Sequence, residues 1–230
     1  MNKFGFNITE IKKIISGTKY SAVLLKNGNI GVCANLMNSI DPVNEDLKSP
    51  DLSNTCHRII LNAYYNGLLN YSNTFNKTGD IFDEIDFKKY ENIIMIGLFK
   101  PLLKKFKENN IRVSIFDKIK EHHEIISMDA KSDYIRKADA IVLSSTTVFN
   151  NTFMNIINSS GEKCDIFMLG PSSIMDNDMF LYKNIKGIFG SVFNRNDEAV
   201  LETIEKGYGT QDFIKFGEKI SLLLMTQMSK

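Results

Sequence analysis

Five short apolar runs in the second half of the chain constrain its fold more than any other feature. They lie at residues 92–96, 111–116, 140–143, 165–169 and 188–189. Continuous apolar runs of this length, without alternation, are typical of parallel strands that are buried on both faces. The segments between the first four runs are long enough for helices. The pattern therefore predicts an α/β fold built on a parallel sheet.

Helix signals between the runs agree with this prediction. Pro101 suits the first turn of a helix over residues 101–110, where its missing N–H costs little. Asn196 and Asp197 can cap a later helix, and Gly207 can end it. We expect about five strands in a Rossmann-like arrangement.

The first half of the chain carries a pattern typical of a small α+β unit. Four apolar residues near the N-terminus recur at helical spacing: Phe4, Ile8, Ile11 and Ile15. They predict a first helix. Two apolar runs flank Asn27-Gly28, which predicts a hairpin with a type I′ turn, because that turn needs positive φ at both central residues. Apolar side chains at helical intervals predict a second helix over residues 57–70.

A polar segment over residues 73–92 separates the two halves and is interpreted as a linker. It includes the acidic stretch 83–87, which is typical of a solvated patch. We therefore expect two domains. Residues 1–78 would form a small α+β domain, and residues 79–230 would form the parallel-sheet domain.

Charge and cysteine content argue against several classes of protein. The chain has 28 basic and 27 acidic residues, and its net charge is +1. Nucleic-acid readers usually show a clear excess of clustered positive charge, so we expect no nucleic-acid partner. No apolar run approaches the roughly 20 residues of a membrane span, so we expect no membrane partner. Three scattered cysteines favour a reduced, cytoplasmic setting. The oligomeric state is open, with a homodimer as one option.

In an open parallel sheet, ligands bind beyond the carboxyl ends of the strands. The loops that follow the five predicted strands are therefore the candidate site. They lie at residues 97–101, 117, 144–153, 170–173 and 190–195. If the sheet is as predicted, these loops converge on one edge.

The first two loops carry half of a dinucleotide-binding fingerprint. Gly97 begins a strand-to-helix turn, but the full G-x-G-x-x-G pattern is absent, and Phe99 is bulky for a close approach to pyrophosphate. Asp117 follows about twenty residues later, where a ribose-binding acid is expected. A tight turn with a solvated acid explains the pair about as well as nucleotide binding does.

The stretch SSTTVFNNTF at residues 144–153 offers many small neutral hydrogen-bonding groups. One capping residue suffices to start a helix near Asn151, and Thr146, Thr147, Asn150 and Thr152 together exceed that need. A helix N-terminus with spare hydroxyls favours anionic or carbonyl-bearing ligands.

The GPSS turn has the same character. Gly170 permits close approach, Pro171 stiffens the turn, and Ser172 and Ser173 supply hydroxyls. Two such loops at neighbouring strand ends favour a ligand site over simple capping.

Metal-binding patterns are missing from the residues alone. Cys56-His57 and His122-His123 are adjacent pairs, and neighbouring side chains diverge in both strands and helices. The usual C-x-x-C and H-x-x-x-H spacings are absent. Surface histidines and buried cysteines are the more ordinary interpretation.

The second half also carries the motifs MIGLFKPLL, ADAIVLSSTTVFNNTF, MLGPSS and GIFGSV, in that order. In order and spacing they resemble the "putative heavy-metal chelation" domain family, formerly a domain of unknown function. The resemblance implies a small domain similar to the enolase N-terminal domain, joined to a Rossmann-like domain. It also implies a site between the two domains and a role in metal chelation. The hairpin and the LNA motif at residues 61–63 are similar to the family's first domain.

Carried over position by position, the family's motif residues fall on Gly97, Pro101, Thr146, Asn150, Thr152, Gly170, Pro171 and Ser172. The chain departs from the family at Ser144-Ser145, where Thr-Gly is common, and at Asn151, where Gly is usual. Asp117 replaces the commoner Glu. These departures imply that the ligand or its pose differs in this protein.

The leading hypothesis is a protein that binds a small anionic or metal-bearing ligand in a cleft between the two domains. Its ligand-binding residues would be Asn62, Gly97, Phe99, Pro101, Asp117, Thr146, Thr147, Asn150, Thr152, Gly170, Pro171, Ser172 and Ser173. The cofactor would be a transition metal ion or a metal-chelating small molecule, with Asp117 as the candidate metal ligand.

Two other classes of function stay open, and so does the question of catalysis. A nucleotide- or S-adenosylmethionine-dependent transferase would use Asp117 on a ribose. A non-catalytic sensor or interaction module would need none of the hydroxyls at the strand ends.

Overall fold

The computed structural model describes residues 5–41, 46–71, 75–77, 80–118 and 124–224. Phe4 and the pair His122-His123, which the sequence patterns single out, lie outside the described residues. None of the helices in the described ranges is both long and apolar enough to cross a membrane.

The first half forms a three-stranded antiparallel sheet with a long helix against it. The strands are β1 (Ile11–Ser16), β2 (Tyr20–Leu25) and β3 (Ile30–Ala34), in the order β1-β2-β3. Helix α1 (Thr55–Leu69) begins at an Asn54 cap, whose side chain accepts the N–H of Cys56. It packs on one face of the sheet, so the predicted second helix and the hairpin are confirmed.

The prediction of a helix at the N-terminus is wrong. Residues Ile8–Glu10 form a single 3-10 turn, and β1 follows at once. The isoleucines mislead because the small sheet is covered on both faces. Ile14 packs towards α1, and its neighbour Ile15 is buried on the opposite face. A strand covered on both sides does not alternate, and its β-branched residues favour the extended backbone.

The turn between β2 and β3 also differs from the prediction. Among its residues only Gly28 has a positive φ, of 89°. The Gly28 N–H donates to the Leu25 carbonyl, and the Leu25 N–H donates to the Asn29 carbonyl. This pattern is a type I turn followed by a left-handed glycine, which forms a bulge. The hairpin is confirmed, and its type I′ turn is not.

The second half forms a larger sheet with helices on both faces. Its elements are β4 (Asn76–Lys77), α2 (Ile81–Glu84), β5 (Ile93–Ile96), α3 (Lys100–Glu108), β6 (Val113–Phe116), α4 (Lys131–Lys137), β7 (Ala140–Ser144), α5 (Thr146–Phe149), α6 (Phe153–Ser159), β8 (Asp165–Leu169), β9 (Ile185–Phe193), α7 (Glu198–Glu205), α8 (Thr210–Phe213) and β10 (Gly217–Leu223).

The strand order of this sheet is β4-β10-β9-β8-β7-β5-β6. Strands β5 to β9 are parallel, as predicted, while β10 pairs antiparallel with β9, and β4 pairs antiparallel with β10. The parallel strands therefore run in the order second, first, third, fourth, fifth, which doubly wound α/β folds also use. The direction of winding reverses between β5 and β7, and such a switch point is where these folds bind ligands.

Two segments that the sequence patterns assign to loops are built into this domain. The segment over residues 73–92 is not a plain linker, since Ile81 and Phe87 are buried in the core beside α3. Residues 190–193 are not a loop, because β10 pairs with β9 along its length, from Gly217 opposite Phe193 to Leu223 opposite Gly187. That pairing extends the strand beyond the short apolar run.

Candidate functional site

The ends of β5 and β7 meet at the switch point of the large sheet. Gly97 follows β5 with a φ of 101°, and its N–H donates to the Phe116 carbonyl at 2.8 Å. A Cβ on Gly97 would lie 2.8 Å from the Cβ of Ser144, which is too close for any other residue. Gly97 is therefore required both by its backbone angle and by the approach of β7.

The ends of β7 and β8 meet in the same way. Gly170 has a φ of 137°, and a Cβ there would lie 2.7 Å from the Ser145 hydroxyl. The Ser145 N–H donates to the Leu169 carbonyl at 3.0 Å. The structure thus brings the loops after β5, β7 and β8 together at one edge, which we call the switch edge.

Asp117 ties the end of β6 to the same edge. Its Oδ2 accepts the N–H of Leu98 at 2.6 Å. A charged acceptor makes this bond stronger than a neutral one, so the carboxylate fixes the turn between β5 and α3. The structure therefore gives Asp117 a positioning role in this turn.

The N-terminus of α3 lies directly behind Gly97. Phe99 occupies the cap position, and its side chain makes no capping hydrogen bond. Pro101 stands in the first turn and has no N–H to satisfy. The Phe99 ring folds back to 3.6 Å from the position of a Gly97 Cβ. The cap residue therefore leaves the first N–H groups of α3, at the positive end of the helix dipole, without a bond from its own side chain.

Most of the polar groups in residues 144–152 are bonded to one another. The Ser144 and Thr146 hydroxyls lie 2.9 Å apart, and the Thr147 hydroxyl donates to the Ser144 carbonyl. Asn150 Oδ1 accepts both the N–H and the hydroxyl of Thr152. Thr147 is buried, whereas the other four are only partly buried. The stretch therefore turns the chain between β7 and α6 and leaves part of its polar surface exposed at the switch edge.

Three asparagines on α1 hold the GPSS turn against the small sheet. Asn62, Asn66 and Asn70 lie four residues apart on one face of α1, and each is at most 2% exposed. We call them the asparagine ladder. Their amide nitrogens donate as follows: Asn62 to Ser172 O, Asn66 to Pro171 O and Ser173 O, and Asn70 to Ser173 O and Ser191 O. The spacing of these asparagines is visible in the sequence and is the signal that the motif analysis missed.

The serines of the GPSS turn face this contact rather than open solvent. The Ser172 hydroxyl accepts the N–H of Ala34 at 3.0 Å, and the Ser173 hydroxyl donates to the Phe189 carbonyl at 2.8 Å. Both residues are buried. The turn therefore links β3 to the large sheet, and Gly170 carries it back to the switch edge.

Asn62 has a second polar atom in this contact. Its Oδ1 is buried, and no described residue forms a hydrogen bond with it. Cys33 is close to Asn62 and Ser172, and its burial raises the pKa of the thiol, so the thiol stays neutral. A buried amide oxygen without a partner costs about 1–3 kcal/mol, so this contact carries a local cost in stability.

Arg58 joins α1 to the loop after β7. Its Nε donates to the Phe149 carbonyl at 2.5 Å, and the Phe149 ring is buried in the core beneath α1. Nothing in the sequence pattern marks this contact, because its partners are far apart in the chain. It holds α5 in place beside the switch edge.

The described residues contain no group of three or more His, Cys, Asp or Glu that could hold a metal ion. His57 is buried, and its Nδ1 accepts the N–H of Asp51 at 2.8 Å. That histidine is bonded within the loop before α1. A metal cage made only of these side chains is therefore not present in the described ranges.

These observations define a class: an α/β protein with an open switch edge, locked by a buried polar contact to a small antiparallel sheet. A family model described as "Putative heavy-metal chelation" (DUF364) matches residues 80–223, and the chain belongs to this family.

Two solved structures share the fold. A DUF364 protein of unknown function from Pyrococcus horikoshii is 18% identical, with a TM-score of 0.79 and 93% of each chain covered. A second, also of unknown function, from Desulfitobacterium hafniense DCB-2, is 15% identical, with a TM-score of 0.73 and coverage of 93% of this chain and 91% of that one. No curated protein matches the chain.

Proposed function

We propose that the protein binds a small anionic or metal-bearing ligand at the switch edge, with heavy-metal chelation as its specific role. The observation that carries the proposal is the apposition of Gly97 and Ser144 beside an uncapped helix N-terminus. Parallel α/β sheets bind ligands at this point because two loops leave it in opposite directions.

The groups at the switch edge suit an anion. The first N–H groups of α3 have no partner within the helix, and the helix dipole favours negative charge there. The partly buried residues Ser144 and Thr146 add a pair of hydroxyls beside them, one of which donates to the other and leaves one proton for a ligand. Asn150 and Thr152 extend this polar surface.

The metal would enter together with an anionic chelator. The described side chains supply no complete metal cage, so the remaining ligands must come from a bound molecule. Asp117 supplies a carboxylate at this edge, and its Oδ2 is already bonded to Leu98. The family description supports chelation as the role. The three cysteines form no disulfide with one another, which supports a reducing, cytoplasmic setting for it.

The transferase alternative receives less support from the geometry. Asp117 follows the strand next to β5, where a ribose-binding acid belongs, but one of its oxygens holds Leu98. The Phe99 ring fills space next to Gly97 that a dinucleotide fold keeps clear. No specific observation supports the alternative of a non-catalytic sensor or interaction module.

The test is metal binding with and without a chelator. We expect Ni²⁺, Zn²⁺ or Cd²⁺ to bind stoichiometrically in equilibrium dialysis when citrate is present. Thr146→Val removes a hydroxyl at the switch edge while keeping the shape, and should weaken binding about tenfold, the loss of roughly one good hydrogen bond. Thr203→Val, on the exposed face of α7, is the matched control. Absence of binding in the wild type, or equal binding by both variants, would contradict the proposal.

A further inference from the structure

A second place along the carboxyl edge of the sheet has the form of a ligand site. An open groove of about 630 Å³ lies where β9 ends and β10 begins. Its lining includes Tyr71, Asn194, Arg195, Lys215, Phe216 and Glu218. Its volume falls within the range of small-molecule sites. We call it the Arg195 groove.

The groove is lined by Tyr71, which follows α1, and by residues 192–195, 197 and 215–218. Strand β9 is parallel to β8, so its end at Phe193 faces the same edge as Gly170. The groove lining includes Tyr71, which is held by its hydroxyl group. This hydroxyl accepts the N–H of Ile30, donates to the Ile30 carbonyl and accepts the N–H of Phe193 at 3.4 Å. Tyr71 therefore links β3 of the small sheet to the end of β9, and these bonds fix its position in the groove lining.

The backbone that carries Arg195 is held on two sides. The Asn196 N–H donates to the Gly28 carbonyl at 2.8 Å, at the tip of the β2–β3 hairpin. Asp197 caps α7 with its Oδ1, which accepts the N–H groups of Ala199 and Val200. Arg195 is therefore presented from a fixed turn.

The Arg195 side chain is itself anchored at one end. Its Nε donates to Asn29 Oδ1 at 3.0 Å, and the buried Asn29 is fixed because its Nδ2 donates to the Gly67 carbonyl. No described carboxylate forms an ion pair with Arg195. Its two terminal nitrogens retain the fork geometry that fits carboxylate and phosphate.

The charged residues that line the groove differ in the contacts that they make. The Asp197 carboxylate is used by two backbone N–H groups, and Glu218 is engaged in a contact of its own. The Lys215 amine lies 5.0 Å from the centre of the Phe216 ring, and like Arg195 it has no ion pair with any described residue. Arg195 and Lys215 thus have no ion pair within the described residues, while the Asp197 Oδ1 atom is used by the backbone of α7.

We propose that the Arg195 groove binds a small organic molecule through an oxyanion, either a carboxylate or a phosphate. Arg195 would bind the oxyanion with its terminal nitrogens, and Lys215 would add a second positive charge. Phe216 and Tyr71 would contact the apolar part of the molecule. This site lies apart from the switch edge and does not depend on metal binding there.

The experiment is an NMR titration of the ¹⁵N-labelled protein at constant ionic strength. Inorganic phosphate and malonate serve as parallel probes of the two oxyanions. We expect saturable shifts of residues 194–196 and 215–218 with at least one probe. Arg195→Gln and Lys215→Gln should each weaken binding by about tenfold, the loss of one charge-assisted contact.

Arg112→Gln is the matched control, because Arg112 lines a different cavity together with Glu91 and Asp133. It should leave the shifts of residues 194–196 and 215–218 as they are in the wild type. Thermal midpoints of all variants show that they are folded. The proposal is overturned by absence of saturable shifts with both probes, or by unchanged binding in both groove variants. Shifts confined to residues 97–100 and lost in Thr146→Val would also overturn it, since the anion would then occupy the switch edge.

Discussion

At the scale of single residues, two glycines determine the shape of the switch edge. Gly97 and Gly170 both have positive φ, and each lies against a serine of the β7 end. The sequence identifies both positions as turn residues, but it does not show that Ser144 and Ser145 are what they touch. That knowledge needs the strand order, because β6 separates β5 from β7 in the chain but not in the folded sheet.

Replacing Gly97 by alanine should destabilise the protein. The left-handed backbone costs about 1–3 kcal/mol for a residue with a side chain, and the new Cβ would press on Ser144. We expect the free energy of unfolding in urea to fall by about 2 kcal/mol or more.

Gly209→Ala is the control for that measurement. Gly209 has a φ of −98°, and a Cβ there would meet nothing closer than 3.6 Å. Its stability should change little. An unchanged Gly97→Ala protein would mean that the turn after β5 can relax, and that the switch edge is not rigid.

Arg195 could not be recognised as a binding residue from the sequence. It stands in a loop that the apolar runs place at the edge, yet nothing local marks it as a binding residue. Its anchor is Asn29, far away in the chain. Its partner Lys215 comes close only because β10 pairs with the whole of β9. Long-range pairing of this kind is not encoded in any short motif.

At the scale of secondary-structure elements, burial of strands on both faces explains one correct prediction and one wrong one. The continuous apolar runs correctly predict β5 to β8, because the large sheet has helices on both faces. The same burial defeats the prediction for β1, since α7 covers the face of the small sheet opposite to α1. A helical spacing of isoleucines can arise by chance in such a strand.

Helix α1 contributes more than packing, because the asparagine ladder binds another loop's carbonyl groups. Asn66 is the middle residue of the asparagine ladder. The Asn66 Oδ1 accepts the N–H of Val32, and its Nδ2 donates to Pro171 and Ser173. Asn66→Ala should lower the free energy of unfolding by about 3 kcal/mol, since several buried backbone groups lose their partners.

Asn109→Ala is the matched control for the ladder. Asn109 lies at the exposed end of α3, and its side chain bonds only the Lys105 carbonyl among the described residues. Urea denaturation of both variants should separate the two cases clearly. Equal stability of the two proteins would show that the ladder does not hold the GPSS turn.

At the scale of the whole molecule, the two sheets act as one framework. The ladder, Ser172 and Tyr71 join the small sheet to the large one, and α7 leaves the large sheet to cover the small one. Much of the polar surface at the GPSS turn is thereby used internally. The two candidate sites, the switch edge and the Arg195 groove, lie outside this internal contact.

The site could be predicted in outline because it depends on a general rule about parallel sheets. Its internal bonding could not, since hydroxyls that look available in sequence can be paired in the fold. Thr147 and Ser173 illustrate this, as both donate to backbone carbonyls. The predicted ligand-binding residues remain a prediction, which the placement of Gly97, Ser144 and Thr146 supports.

If the switch edge binds a metal-bearing anion, a crystal structure of the protein with cadmium and citrate should show both bound there. We expect an anomalous cadmium peak, with citrate density, between Gly97, Ser144 and Thr146 and in front of the α3 N-terminus. Cadmium bound only elsewhere, or a switch edge that stays empty at saturating concentrations of both, would contradict the proposal.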